Sequence, residues 1–163
     1  MGPKEEGILM IEELTRELTS RHLHYEVYSH EPTMTAREEA AELRIPRPQV
    51  AKTLVVATPG GRARVVLPAS ERLDLHKVGE VVGGGTTVRL ASESELAVAY
   101  PMFELGAVPP FGGPPGDRSI VDRRLVELES IVVEAGSHTE SVRIRPTDLV
   151  AITKGEIADI CAD

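Results

Sequence analysis

At 163 residues, 41 % hydrophobic and 27 % charged, the chain has the length and balance of a single domain spanning 1–163 with a substantial core. A net charge of −8 speaks against a general nucleic-acid coat, and the lone Cys161 excludes an internal disulfide and fits a reducing, cytoplasmic compartment. The chain shows no secretory pattern and no apolar run of ~18 residues, so neither export nor a membrane span is expected.

Ile8, Ile11, Leu14 and Leu18 recur near helical spacing with acids between them, which predicts an amphipathic helix over 6–20. Tyr25 to Tyr28 alternates as a short strand. Thr35 and Glu38 stand three apart as a capping box, opening a helix to about Leu43 that Pro46 and Pro48 stop. Two β-rich runs, 51–57 and 62–68, flank Thr58-Pro59-Gly60-Gly61, a hairpin signal. A short helix is expected over 70–78 and a strand over 86–90, with the glycines 83–85 between them. Ser92 and Glu95 form a second capping box for a helix to about Ala99. Past a glycine- and proline-rich stretch, strands are expected near 119–122, 130–134 and 141–145, with a turn at Ala135-Gly136-Ser137-His138. Pro146-Thr147-Asp148 starts a helix running through Ile152. Strands and helices mix without strict βαβ alternation, so the fold class is α+β, with a mixed, largely antiparallel sheet and helices at its flanks.

Three stretches carry chemistry. In Gly106-Ala107-Val108-Pro109-Pro110-Phe111-Gly112 the prolines fix φ and donate no hydrogen bond, while the glycines admit close approach to the backbone. Such a segment is either a surface turn or a rigid loop whose main chain holds a small ligand or a water. Lys52 opens the apolar run Thr53-Leu54-Val55-Val56, and its ammonium either snorkels to solvent or points into a cleft. Gly136-Ser137-His138 is either a plain turn or a polar rim of the same site. Residues 44–77 hold seven basic and two acidic side chains, a candidate phosphate-binding face or a set of solvated positions; Arg44, Arg47 and Arg64 are its proposed contacts. A Ser70-His76-Asp122 triad lacks a Gly-x-Ser-x-Gly elbow. The histidines show no paired metal-ligand spacing, and Gly83-Gly84-Gly85 matches no nucleotide fingerprint.

The Lys52-Thr53 step followed by a distant Gly-x-x-x-Pro loop, Gly106 to Pro110, resembles the YbaK/prolyl-tRNA-synthetase-associated family of free-standing aminoacyl-tRNA deacylases. The likeness runs from about His30 to Leu149. It implies a curved mixed sheet flanked by helices. It also implies trans-editing: hydrolysis of a mischarged aminoacyl-tRNA carrying a small amino acid of the alanine, cysteine, serine or threonine class. On this resemblance Lys52 and Gly106 are the catalytic candidates. Thr35, Thr53, Ala107, Val108, Pro109, Pro110, Gly136, Ser137 and His138 are the substrate-binding ones. Water attacks an activated ester, so no metal or other cofactor is expected. The expected partners are the tRNA acceptor end and a synthetase, with no membrane. A non-catalytic module that binds the aminoacyl-tRNA end or a synthetase is the alternative, and a small-molecule hydrolase is a third reading.

Overall fold

The computed structural model describes residues 12, 15–33 and 36–163. Thr35 and its capping box lie outside the described residues, as does most of the expected helix 6–20, of which residues 15–20 are helical (α1). The elements then run β1 (Tyr25–Ser29), α2 (Ala36–Leu43), β2 (Ala51–Thr58), β3 (Gly61–Pro68), α3 (Leu75–Val82), β4 (Arg89–Leu90) and α4 (Glu93–Ala99). They continue with β5 (Arg118–Asp122), α5 (Arg123–Val126), β6 (Ile131–Glu134), β7 (Glu140–Ile144), α6 (Pro146–Thr153) and β8 (Glu156–Ala158).

The strands form two sheets. One is antiparallel, in the order β1-β7-β6; the other runs β4-β2-β3-β5-β8, antiparallel across β4-β2-β3 and parallel across β3-β5-β8. A parallel bridge between Val50 and Val132 ties the start of β2 to β6. The α+β class and the largely antiparallel pairing agree with the sequence. The division into two sheets follows from the pattern of burial. Ala51, Val66 and Val121 of the larger sheet face Ile131, Val133, Val142 and Ile144 of the smaller one, with Leu18 and Leu149 closing the layer. The outer face of the larger sheet packs on α3 through Val56, Val65, Leu67 and Val78. The outer face of the smaller sheet takes α2 through Val132 and Ala40.

Local chemistry explains where elements differ from expectation. The helix expected over 70–78 begins at Leu75, because the Asp74 carboxylate accepts from His76 N and Lys77 N at 2.9 and 3.2 Å. A 3-10 turn at Gly85–Thr87 shortens the expected strand 86–90 to β4. Ser92 and Glu95 do form a reciprocal capping box. β8 is an addition: Lys154 takes a left-handed φ of 53° that ends α6 and redirects the chain alongside β5.

Candidate active site

The loop after α4 has few amide donors of its own because prolines interrupt it, so its carbonyls need partners from elsewhere. Arg64 of β3 supplies them. Its guanidinium donates to Pro109 O at 2.9 Å, Gly112 O at 2.7 Å and Pro114 O at 3.5 Å, and pairs with Asp117 at 3.0 Å. Its plane lies 5.0 Å from the Tyr100 ring centre, and the Tyr100 hydroxyl donates to the same Asp117 carboxylate. Burial, followed by the neighbouring Asp117, raises the Tyr100 pKa. Arg64 is only 4 % exposed, which corrects its expected place on a phosphate-binding surface. Both faces of β3 are covered, and a planar five-donor group satisfies several carbonyls at once.

Loop and turn are stitched together. Glu104 N donates to Gly136 O at 2.9 Å, and Gly136 N donates to Ala107 O at 3.1 Å. The Glu104 carboxylate accepts from His138 N at 2.9 Å. His138 Nε2 stands 2.6 Å from Leu105 O; a carbonyl only accepts, so this nitrogen carries the proton. Gly106 is exposed at the crest with φ 84°, and a Cβ there would sit 3.4 Å from His138 Cε1. Ala107, Val108, Pro109 and Pro110 are buried beneath it, as are Ser137 and His138. Phe103 lies under both segments: a Cβ on Gly113 or Gly136 would come within 2.8 or 2.9 Å of its ring. Beside the loop is a cavity of about 270 Å³ lined by Leu96, Tyr100, Phe103, Glu104, Leu105 and Val108.

Lys52 and Thr53 face opposite sides of β2. Val55 joins Val108, Phe103 and Tyr100 in one cluster, so alternation puts Thr53 on the loop's side of the strand. Thr53 Oγ1 is buried and has no hydrogen-bond partner among the described residues. Lys52 lies on the face of Leu54 and opposite Leu67, and its ammonium donates to Glu71 O at 2.6 Å. Burial lowers its pKa, and the positive charges of Arg47 and Arg72 act in the same direction. Both arginines are exposed, so Lys52 belongs to a small cationic patch. Among the described residues no hydrogen bond joins Lys52 to the Gly106–Pro110 loop.

The sequence reading missed Arg64 as a clamp, Glu104 as a stitch, and a buried pair of acids, Glu39 and Glu134. An acid ending the apolar run Ile131-Val132-Val133 was the signal for the last. Among the described residues no group of three or more metal-ligating side chains is gathered, and no helix is long and apolar enough to cross a membrane.

Three comparisons bear on this geometry. The family model of the aminoacyl-tRNA editing domain matches residues 30–152. The chain is 26 % identical over 137 residues to a protein of Enterococcus faecalis named "Putative Cys-tRNA(Pro)/Cys-tRNA(Cys) deacylase EbsC", covering 83 % of this chain and 82 % of that one. Among solved structures it is similar to the hypothetical protein APE2540, with a TM-score of 0.84 and 28 % identity over 91 % of this chain and 99 % of that one. It is also similar to a structure described as "a putative trans-editing enzyme for prolyl tRNA synthetase", with a TM-score of 0.82 and 26 % identity over 94 % and 98 % of the two chains.

Proposed function

The chain belongs to the aminoacyl-tRNA editing domain family, and from that premise we propose that it is a trans-acting deacylase of cytoplasmic tRNA mischarged with a small amino acid. The observation that carries the reading is the stitched loop and turn. They hold an exposed, left-handed Gly106 over His138, on a backbone fixed in advance by Arg64. Prearranged main-chain groups suit the oxyanion that forms when water attacks an ester carbonyl, because they need no reorganisation during the reaction. The Thr53 hydroxyl lies on the same side of β2, buried and without a hydrogen-bond partner among the described residues. Lys52, with Arg47 and Arg72 beside it, supplies positive charge for the phosphates of the acceptor end.

Esters of cysteine, alanine, serine and threonine, the class that the family resemblance implies, are the substrates to test. One relative's name specifies cysteinyl-tRNA and another's a prolyl-tRNA synthetase, which makes that synthetase the candidate partner. A panel of tRNAs charged with these four amino acids, incubated with the protein, tests the reading. Faster release of one or more of them than in buffer is expected. Binding of the charged tRNAs without hydrolysis would replace the enzyme with a binding module.

A further inference from the structure

Beneath the Gly136–His138 turn, where α2 packs on β6 and β7, lies a buried chain of polar side chains that the reaction outlined above does not use. Glu39 of α2 is fully buried, and Glu134 of β6 is 8 % exposed. The two carboxyls interact directly, yet as a pair of carboxylates they leave Glu39 Oε2 without a donor among the described residues. A single proton shared between them resolves that vacancy. Glu39 Oε1 in turn meets Ser141 Oγ, and Ser141 Oγ stands 2.9 Å from His30 Nε2. His30 Nδ1 faces Glu31 O at 2.8 Å; a carbonyl only accepts, so Nδ1 bears a proton.

Ser141 has one O–H for two neighbours. Either it donates to Glu39 and receives from a doubly protonated His30, or it donates to a singly protonated His30 and receives from a protonated Glu39. The two states interconvert without any other atom being needed. His30 Nε2 passes its proton to Ser141 Oγ as Ser141 passes its own to Glu39 Oε1. Both ends of the chain flank the turn. Glu134 precedes Gly136 by two residues, and the backbone beside His30 donates from His30 N to Thr139 O and from Thr33 N to His138 O, both at 2.9 Å.

We propose that Glu134, Glu39, Ser141 and His30 form a proton relay that holds the Gly136–His138 turn in place, with Glu134 and Glu39 as positioning residues of the deacylation site. The inference rests on the functional reading above. Other charged groups face the chain: His138 from the turn acts on Glu39, and Glu140, beside His30, feels both His30 and Glu104. Burial, and then the charge of Glu39, raise the Glu134 pKa, while burial raises that of Glu39. The folded protein therefore keeps a proton that the unfolded chain has lost. Stability falls as pH climbs from the ordinary carboxylate value of 4.5 toward the raised one. Full ionisation would set two negative charges between α2 and β6 and push the turn away.

The test compares the full-length wild type with Glu134→Gln, an isostere of the protonated acid, from pH 6 to 9. The wild-type folding constant should fall by up to about tenfold per pH unit over part of this range, and the variant's should fall less steeply, since only Glu39 then remains to titrate there. The Gly136 and His138 amide resonances should move with pH in the wild type and stay fixed in the variant. Deacylation should decline on the alkaline side in the wild type only. Glu134→Ala should lose activity that Glu134→Gln retains at neutral pH. Equal stability slopes in wild type and Glu134→Gln, or turn resonances indifferent to pH, would overturn the relay. If neither protein hydrolyses any charged tRNA while the slopes and resonances behave as expected, the relay stands and the deacylase reading falls. Should Glu134→Gln not fold, Ser141→Ala keeps both acids but removes the Glu39 donor, and the stability decline should extend to higher pH; an unchanged profile would overturn the proposal.

Discussion

Two buried polar assemblies lie on either side of the Gly106–His138 stitch, and they are held in different ways. Under the loop, Arg64 brings a permanent charge and more donors than the carbonyls around it require. Under the turn, Glu39 and Glu134 bring acceptors without enough donors, and a proton has to be shared between them. The first arrangement is fixed at any ordinary pH, because a guanidinium does not lose its proton. The second depends on the solution. One site thus rests on a rigid support and a titratable one, and substitutions can separate the two.

The largest effect is expected from Arg64→Ala. It leaves the Asp117 carboxylate and the loop carbonyls without their main donor, and breaking a buried pair in this way costs about 3–5 kcal/mol. Denaturant unfolding should show that loss together with the collapse of deacylation. A variant of near wild-type stability would mean that the loop is held by something else. Lys52→Ala comes next, with an expected fall of roughly 10²–10³ in rate and little change in melting temperature, since among the described residues the side-chain hydrogen bond it removes is the one to Glu71 O. Near-normal turnover by this variant would remove the cationic face from the site altogether. Gly106→Ala follows. The strain of a left-handed alanine at φ 84° costs about 1 kcal/mol. A displacement of ~1 Å against His138 should slow hydrolysis by about 100-fold. Calorimetry and kinetics measured together separate this outcome from a plain surface turn, which would lose stability alone. The smallest effect belongs to an Arg47→Ala/Arg72→Ala pair. KM should rise a few-fold and its dependence on salt should flatten, by about one unit of slope for each phosphate that is no longer neutralised. Parallel salt plots for wild type and variant would move the tRNA-binding surface off this face.

The same contrast explains what is legible in the sequence. The β2–β3 hairpin, the Ser92–Glu95 cap and the turn at 135–138 are written in local residues, and they occur where the sequence puts them. The Lys52-Thr53 step and the Gly106–Pro110 loop are visible as motifs. Strand alternation then turns the two members of the step to opposite faces, a consequence that the motif itself does not carry. Arg64 reads as a solvated charge because its acceptors lie 45 or more residues away, in a segment whose need for donors is evident only once its carbonyls are placed. Ser141 and Glu39 meet across 102 residues, a distance at which no periodicity speaks. α3 begins later than expected because Asp74 caps it, four residues into the expected span.

The Phe103 ring, held between Gly113 of the loop and Gly136 of the turn, sets the terms on which this surface can change over generations. A side chain added at either glycine pushes on the same ring, and the ring has the other glycine behind it. The first such change narrows the choices left for the second, so their effects should combine non-additively, as for any two sites that share a partner. Loop and turn are then one heritable unit with Phe103 as its hinge pin. Variation that retunes the substrate while sparing the scaffold has its freedom at the exposed side chain of Leu105 on the crest.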